Sequence, residues 1–247
     1  MPKTRILPAD LKLSSSLSAL DDVGEKTLYH LALGADDDTN DEGVGIAFSR
    51  STVQSNVGAA IIFERTDTGS KGELHFYTKT DTGAGVSPVK ALSVTSDSEV
   101  VQHVQPAFNT YRSSYQSNIA DLGTIIFDTE RFDVGSNYNT STGVFTAPVT
   151  GKYLLTYSVD VSSLDKDASY YWLQLITSNR NYYGPFADVD VILSLDGRMT
   201  FQNTVVADMD ASDTAYLRLD RSGGVTQADI VGAASSSYTW FHGYLLG

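Results

Sequence analysis

A chain of 247 residues with 17 Lys and Arg against 30 Asp and Glu carries a formal charge of −13; such a surface repels phosphate backbones, so nucleic acid is excluded as a partner. Cysteine is absent, which excludes disulfides, thiolate metal sites and a cysteine nucleophile. The length suits one large or two modest domains, and no stretch approaches the roughly 18 apolar residues of a membrane span, so no membrane insertion is expected.

Residues 1–25 read as an extended arm. Pro2 and Pro8 limit regular structure, and Leu13, Leu17 and Leu20 fall at helical spacing over only one or two turns, too short for a stable helix. Lys3 and Arg5 are followed by no long apolar run, and no Gly-X-Y repeat occurs. Neither a secretion leader nor a collagen stem is expected, and the reading is a protein made and kept in a cytosol or released by lysis.

Residues 26–104 read as a β meander. Short apolar runs at Leu28–Leu33, Val44–Phe48, Ala59–Glu64, Leu74–Thr78 and Ala91–Thr95 alternate with Gly, Asp, Ser and Thr clusters, the pattern of strands between turns. The acidic run from Asp36 to Glu42 suggests a calcium loop. An EF-hand needs glycine and then an acid where this chain has Asp41 and Ala47, so a solvated turn is expected. Of 14 Tyr, 10 Phe and 2 Trp, only five precede residue 105. That shift places a domain boundary between Val100 and Gln105, and a third region at 105–247.

That third region carries the strongest pattern. Phe127, Asp133, Tyr138, Phe145, Gly151, Tyr153, Leu155 and Tyr157 sit at fixed intervals. From Gly151, Tyr153, Leu155, Tyr157, Val159 and Val161 point one way, while Lys152, Thr156, Ser158 and Asp160 point the other, as in a half-buried antiparallel strand. Further on, Asp188-Val189-Asp190-Val191 reads as a strand with one wet face. No chemistry-bearing motif emerges: the four histidines are widely spaced, no Gly-x-Ser-x-Gly elbow occurs, and the Gly223-Gly224 loop lacks the lysine of a P-loop. The chain reads as a non-enzyme.

The spaced aromatics resemble the signature of the complement C1q globular head, a relative of the tumour necrosis factor jelly roll, with Leu155 where that family usually has phenylalanine. Pro106-Ala107-Phe108 resembles its opening strand and Phe241–Leu246 its closing strand. Gly43–Phe48, Gly58–Glu64, Leu74–Thr78 and Ala91–Thr95 resemble a recurring β segment of bacteriophage tail fibres. The resemblances imply an all-β protein: a jelly-roll sandwich behind a smaller β meander and an extended arm, assembled as a homotrimer through tyrosine-rich faces such as Tyr170-Tyr171-Trp172 and Tyr182-Tyr183.

The family topology implies a loop tip formed by Ser163–Ala168, Ser194–Gly197 and Arg221–Ser236. Its candidate ligand-binding residues are Ser163, Asp165, Lys166, Asp167, Asp196, Arg221, Thr226, Gln227 and Asp229. Asp165 and Asp167 are the candidates for calcium, and no other cofactor is expected. The functional expectation is a bacteriophage virion protein, located in the virion and assembled in the host cytoplasm. It would be a trimeric fibre or adhesin, bound to other virion proteins through its N-terminal region and to a glycan or protein of the host surface through its head. The alternatives are a capsid decoration protein or head fibre, and, in a different class, a cellular C1q-like carbohydrate-binding module.

Overall fold

The computed structural model describes residues 33, 39–51, 56–83, 85–189, 197–224 and 228–247. The arm at 1–25, the first expected strand up to residue 32, Asp36–Asp38, Asp196, Thr226 and Gln227 lie outside them. The chain divides into two compact units, Met1–His103 and Val104–Gly247. Among the described residues no helix is long and apolar enough to cross a membrane.

The described part of the first unit is a five-stranded antiparallel sheet in chain order. Its strands are β1 (Gly43–Phe48), β2 (Ala59–Arg65), β3 (Gly72–Thr78), β4 (Val89–Val94) and β5 (Val100–Gln102). Four coincide with the apolar runs of the sequence. The fifth falls at the composition break, where Val100 and Val101 pair with Val94 and Ser93. One face carries two apolar rows set by register: Ile46, Ile61, Phe76 and Leu92, and beside it Val44, Phe63, Leu74, Val94 and Val100. The other face carries a polar network around a buried histidine and serine. His75 is fully buried, with Nδ1 2.7 Å from Ser93 Oγ and Nε2 2.9 Å from Glu64 Oε2. The same Ser93 hydroxyl lies 2.7 Å from His103 Nε2, and Lys90 Nζ reaches His75 Nε2 at 3.1 Å. Pairing across three strands thus joins two histidines that lie far apart in sequence.

The second unit is a sandwich of two sheets. Its strands are β6 (Ala107–Tyr111), β7 (Gln116–Ile119), β8 (Gly123–Thr124), β9 (Thr129–Val134), β10 (Tyr138–Asn139), β11 (Val144–Thr146), β12 (Gly151–Leu164), β13 (Ala168–Thr177), β14 (Asn181–Asp188), β15 (Gly197–Met209), β16 (Thr214–Gly223), β17 (Ala228–Ile230) and β18 (Trp240–Leu245). One sheet runs β10-β11-β16-β13-β14, with β8 also on β16. The other runs β7-β17-β12-β18-β6-β9, with β15 also on β12. This is the jelly-roll sandwich that the spaced aromatics imply.

The long strand β12 organises its sheet. Tyr153, Leu155, Tyr157, Val159 and Val161 are all fully buried, as the period-two pattern requires. The opposite face is wet only at its start, because Ser158 and Asp160 are also buried. Gln202 Nε2 donates to Ser158 Oγ, and Arg198 donates from Nε to both Asp160 oxygens at 2.9 Å. Partners from β15 therefore satisfy polar groups that would be costly to bury alone. The Asp188–Val191 expectation holds only at its start. β14 ends at an exposed Asp188, Val189 is buried, and 190–191 lie outside the described residues.

The spaced aromatics form the contact between the sheets. The Phe108 ring on β6 stacks on Phe145 of β11 at 4.7 Å and on Tyr138 of β10 at 5.3 Å, and meets Phe241 of β18 edge-on at 5.0 Å. Phe145 in turn meets Tyr153 at 5.5 Å. Asp133 explains its own place in the pattern: its Oδ2 accepts the Tyr138 N–H at 2.8 Å and fixes the turn that delivers Tyr138 to the core. Burial pushes the Tyr138 phenol above its ordinary range.

Phe145→Ala and Tyr153→Ala each remove a ring from a site exposed by 1% or less. Each should cost about 3–5 kcal/mol in denaturant melts. A loss below about 1 kcal/mol would contradict this packing.

Candidate functional site

One end of the sandwich gathers most of the residues singled out from the sequence. The β12–β13 turn brings Ser163, Asp165, Lys166 and Asp167. Asp229 arrives on β17, paired to β12 through Ser162, and Arg221 arrives on β16, paired to Tyr171. The 221–236 stretch is therefore not the single long loop expected. Arg221–Gly223 completes β16, Ala228–Ile230 is a strand of its own, and only a short connection separates them. Its Gly, Ser and Ala content suggests a loop, but backbone pairing with β13 requires no large apolar side chain.

Each polar group there has a definable task. A register shift in β12 between Val161 and Leu164 leaves Ser163 at φ +56°, a left-handed conformation that a bulge imposes. Ser163 Oγ donates to Asp229 Oδ2 at 2.9 Å, and the Asn118 N–H donates to Asp229 Oδ1 at 2.7 Å. Asp229 thus ties β12 and β7 together. Asp165 is 7% exposed and works inward. Its N–H donates to the Tyr171 hydroxyl at 2.8 Å, and its Oδ1 accepts the Asp167 N–H at 2.9 Å. The carboxylate fills the space beside Gly224, where a Cβ would stand 2.6 Å from Oδ2; only glycine fits without displacing it. Burial raises the Tyr171 phenol, and the Arg221 charge opposes that rise. The Arg221 N–H donates to Asp121 Oδ1 at 2.9 Å.

Lys166 and Asp167 are the outward pair. They meet at 2.7 Å with both side chains mostly exposed, and the hydrogen bond to Asp167 raises the Lys166 ammonium. Calcium prefers six to eight oxygen ligands. Among the described residues no group of three or more His, Asp or Glu is arranged to hold a metal ion, and one Asp165 oxygen already caps Asp167. The arrangement is a frame of inward carboxylates presenting a small charged turn. Asn118, Asp121 and Tyr171 belong to this frame; nothing in the sequence singles out the first two, and Tyr171, expected on an assembly face, is fully buried instead. The first two lie in a stretch without periodicity, and Tyr171 reads as one member of an aromatic run.

The C1q domain model matches residues 107–246. The chain belongs to the C1q domain family. C1q-family domains are non-catalytic binding modules, in keeping with a tip built from structural hydrogen bonds. Among solved structures, the head is similar to the globular domain of a zebrafish complement 1qA protein, at 16% identity and a TM-score of 0.43, covering 58% of this chain and 98% of that one. It is also similar to murine APRIL, at 10% identity and 0.41, covering 57% and 99%. A third similar structure is Eiger TNF from S. frugiperda, at 11% identity and 0.42, covering 58% and 93%. C1q and TNF homologues are typically trimeric. No curated protein matches the chain.

Asp229→Ala removes the acceptor of two hydrogen bonds, from the solvent-exposed Asn118 N–H and Ser163 hydroxyl. It should cost about 1 kcal/mol in urea melts. Lys166→Ala, at an exposed pair, should leave stability unchanged. Equal stability of Asp229→Ala and wild type would show that the tip is held by something else.

Proposed function

We propose that this protein is a homotrimeric structural protein of a bacteriophage virion, a fibre or adhesin. Its C1q head binds a glycan or protein of the host surface, and its N-terminal region joins other virion proteins. The observation that carries the assembled state is the apolar face of β1–β5. Ile46 is 42% exposed, Phe48 52%, Leu74 38%, Phe76 37% and Val100 65%. A contiguous apolar sheet face of this kind marks a protein contact. Identical copies are the simplest partners, because closed cyclic symmetry gives every subunit the same set of contacts. Three copies suit the typical assembly of C1q and TNF homologues.

The phage setting rests on sequence. The glycine-rich segments at Gly43–Phe48 and Gly58–Glu64, followed by Leu74–Thr78 and Ala91–Thr95, resemble a tail-fibre pattern. Presenting the tip three times on one rigid head gains avidity without high affinity at any single site.

Light scattering across a size-exclusion peak should give a trimer, and Phe76→Glu, which places a charge on the apolar face, should weaken it. A well-folded wild-type monomer at micromolar concentration would contradict the proposal. Soluble trimer should also compete with phage for adsorption to host cells. Unaffected adsorption, with particles lacking the protein rupturing sooner on heating, would favour a capsid decoration protein.

A further inference from the structure

The face of β13 and β14 that points away from the core carries four aromatic rings. Tyr183 is 56% exposed and Phe186 53%, with Tyr170 and Trp172 half-buried between them. The Trp172 ring lies 4.6 Å from Tyr183 and 5.5 Å from Phe186, and Tyr170 lies 5.3 Å from Phe186.

Two residues three apart on a regular strand point to opposite faces. Here Gln174 pairs with Tyr183 while Trp172 pairs with Phe186, so β14 carries one extra residue opposite Leu173. That bulge, at Gly184-Pro185, turns both rings to the same face, flanking Trp172. Bulges of this kind re-aim side chains at sheet edges and beside functional sites. Gly184 permits it: a Cβ there would stand 2.4 Å from the buried Tyr157 hydroxyl and 2.7 Å from Leu173 O. Burial pushes that hydroxyl up to about 12, so it stays neutral beneath the bulge. The Gly184 carbonyl accepts the Trp172 Nε1–H at 2.9 Å and fixes the indole plane.

A polar row borders the rings. Gln174 is 1% exposed, donates to Asp220 Oδ2 at 2.8 Å and accepts from Arg218 Nε at 2.9 Å. Among the described residues the terminal nitrogens of Arg218 and the second oxygen of Asp220 make no further hydrogen bond. The border therefore offers donors and an acceptor, both held in place by Gln174.

We infer that this β13–β14 face is a binding site for a neutral pyranose glycan. A pyranose presents a face of C–H bonds that stacks on the electron-rich face of an aromatic ring, and a rim of hydroxyls that both donate and accept. Trp172, Tyr183 and Phe186 meet the first, and Arg218 and Asp220 meet the second. An apolar protein patch on the same face would bury the remaining polar atoms of Arg218 and Asp220 without further partners, at a cost. An anionic glycan would face a chain of net charge −13. The site differs from the tip in place and chemistry, and the inference holds whether or not the protein belongs to a virion.

The chain has two tryptophans, so Trp240→Phe leaves Trp172 as the only indole reporter. The full-length W240F variant is titrated with cello-, chito-, manno- and galacto-oligosaccharides. At least one series should shift Trp172 emission to the blue, saturating at millimolar concentration or below. Tyr183→Ser with Phe186→Ser should weaken that response by about tenfold or more, with oligomer and melting temperature unchanged. Lys166→Ala at the tip should leave it unaltered. Calorimetry of the wild type with the same sugars gives the answer if W240F fails to fold. A flat response to all four series would overturn the inference, as would undiminished binding by the double variant. So would Trp172 shielded from acrylamide in the free protein, which would mean that another copy covers the face.

Discussion

The head depends on the contact between Phe108 and Phe145. One ring sits on β6 and the other on β11, in different sheets, and their centroids are 4.7 Å apart. Two sheets packed face to face gain their stability from side chains that interdigitate across the gap, and these rings begin that interdigitation at the end of the sandwich where the spaced aromatics converge. Tyr138 and Phe241 pack on Phe108, and Tyr153 packs on Phe145. Tyr153 starts the inward row of β12, so the cluster sets which face of the longest strand is buried. Strand register follows, because a slip of one residue would turn that whole row to solvent.

This chain of dependence separates what was legible in the sequence from what was not. The alternation from Tyr153 to Val161 and the intervals of Phe127, Tyr138 and Phe145 are local, and they carried the fold. Asp133 was legible as a position in the pattern; its task, to accept the Tyr138 N–H, needed coordinates. Partners distant in sequence left no trace. Asp160 looked like a wet position because Arg198, which neutralises it, is 38 residues away. Asp121 and Arg221 meet across 100 residues. The tip was half legible: the family topology brought Ser163, Asp165, Asp167 and Asp229 to one end, but two of the carboxylates face inward as scaffold. The one-residue bulge in β14 was invisible, because glycine followed by proline in an edge strand also reads as an ordinary turn.

The two units manage exposed surface differently. The head turns its apolar residues inward and exposes a charged turn and an aromatic face bordered by polar groups. The first unit hides a hydrogen-bonded histidine and serine network on one face and leaves apolar rows on the other. The hydrogen bonds that join His75, Ser93 and His103 across the strands favour the observed register. On the function proposed above, the apolar rows are the area available for association.

The central claim is that the ring pair across the sheets couples them, beyond the apolar area that each ring buries. A double-mutant cycle with Phe108→Leu, Phe145→Leu and the double variant, read by denaturant unfolding, tests it most directly. Coupling of about 0.5–1.5 kcal/mol between the two positions is the predicted result. Additive losses, with no coupling, would contradict it.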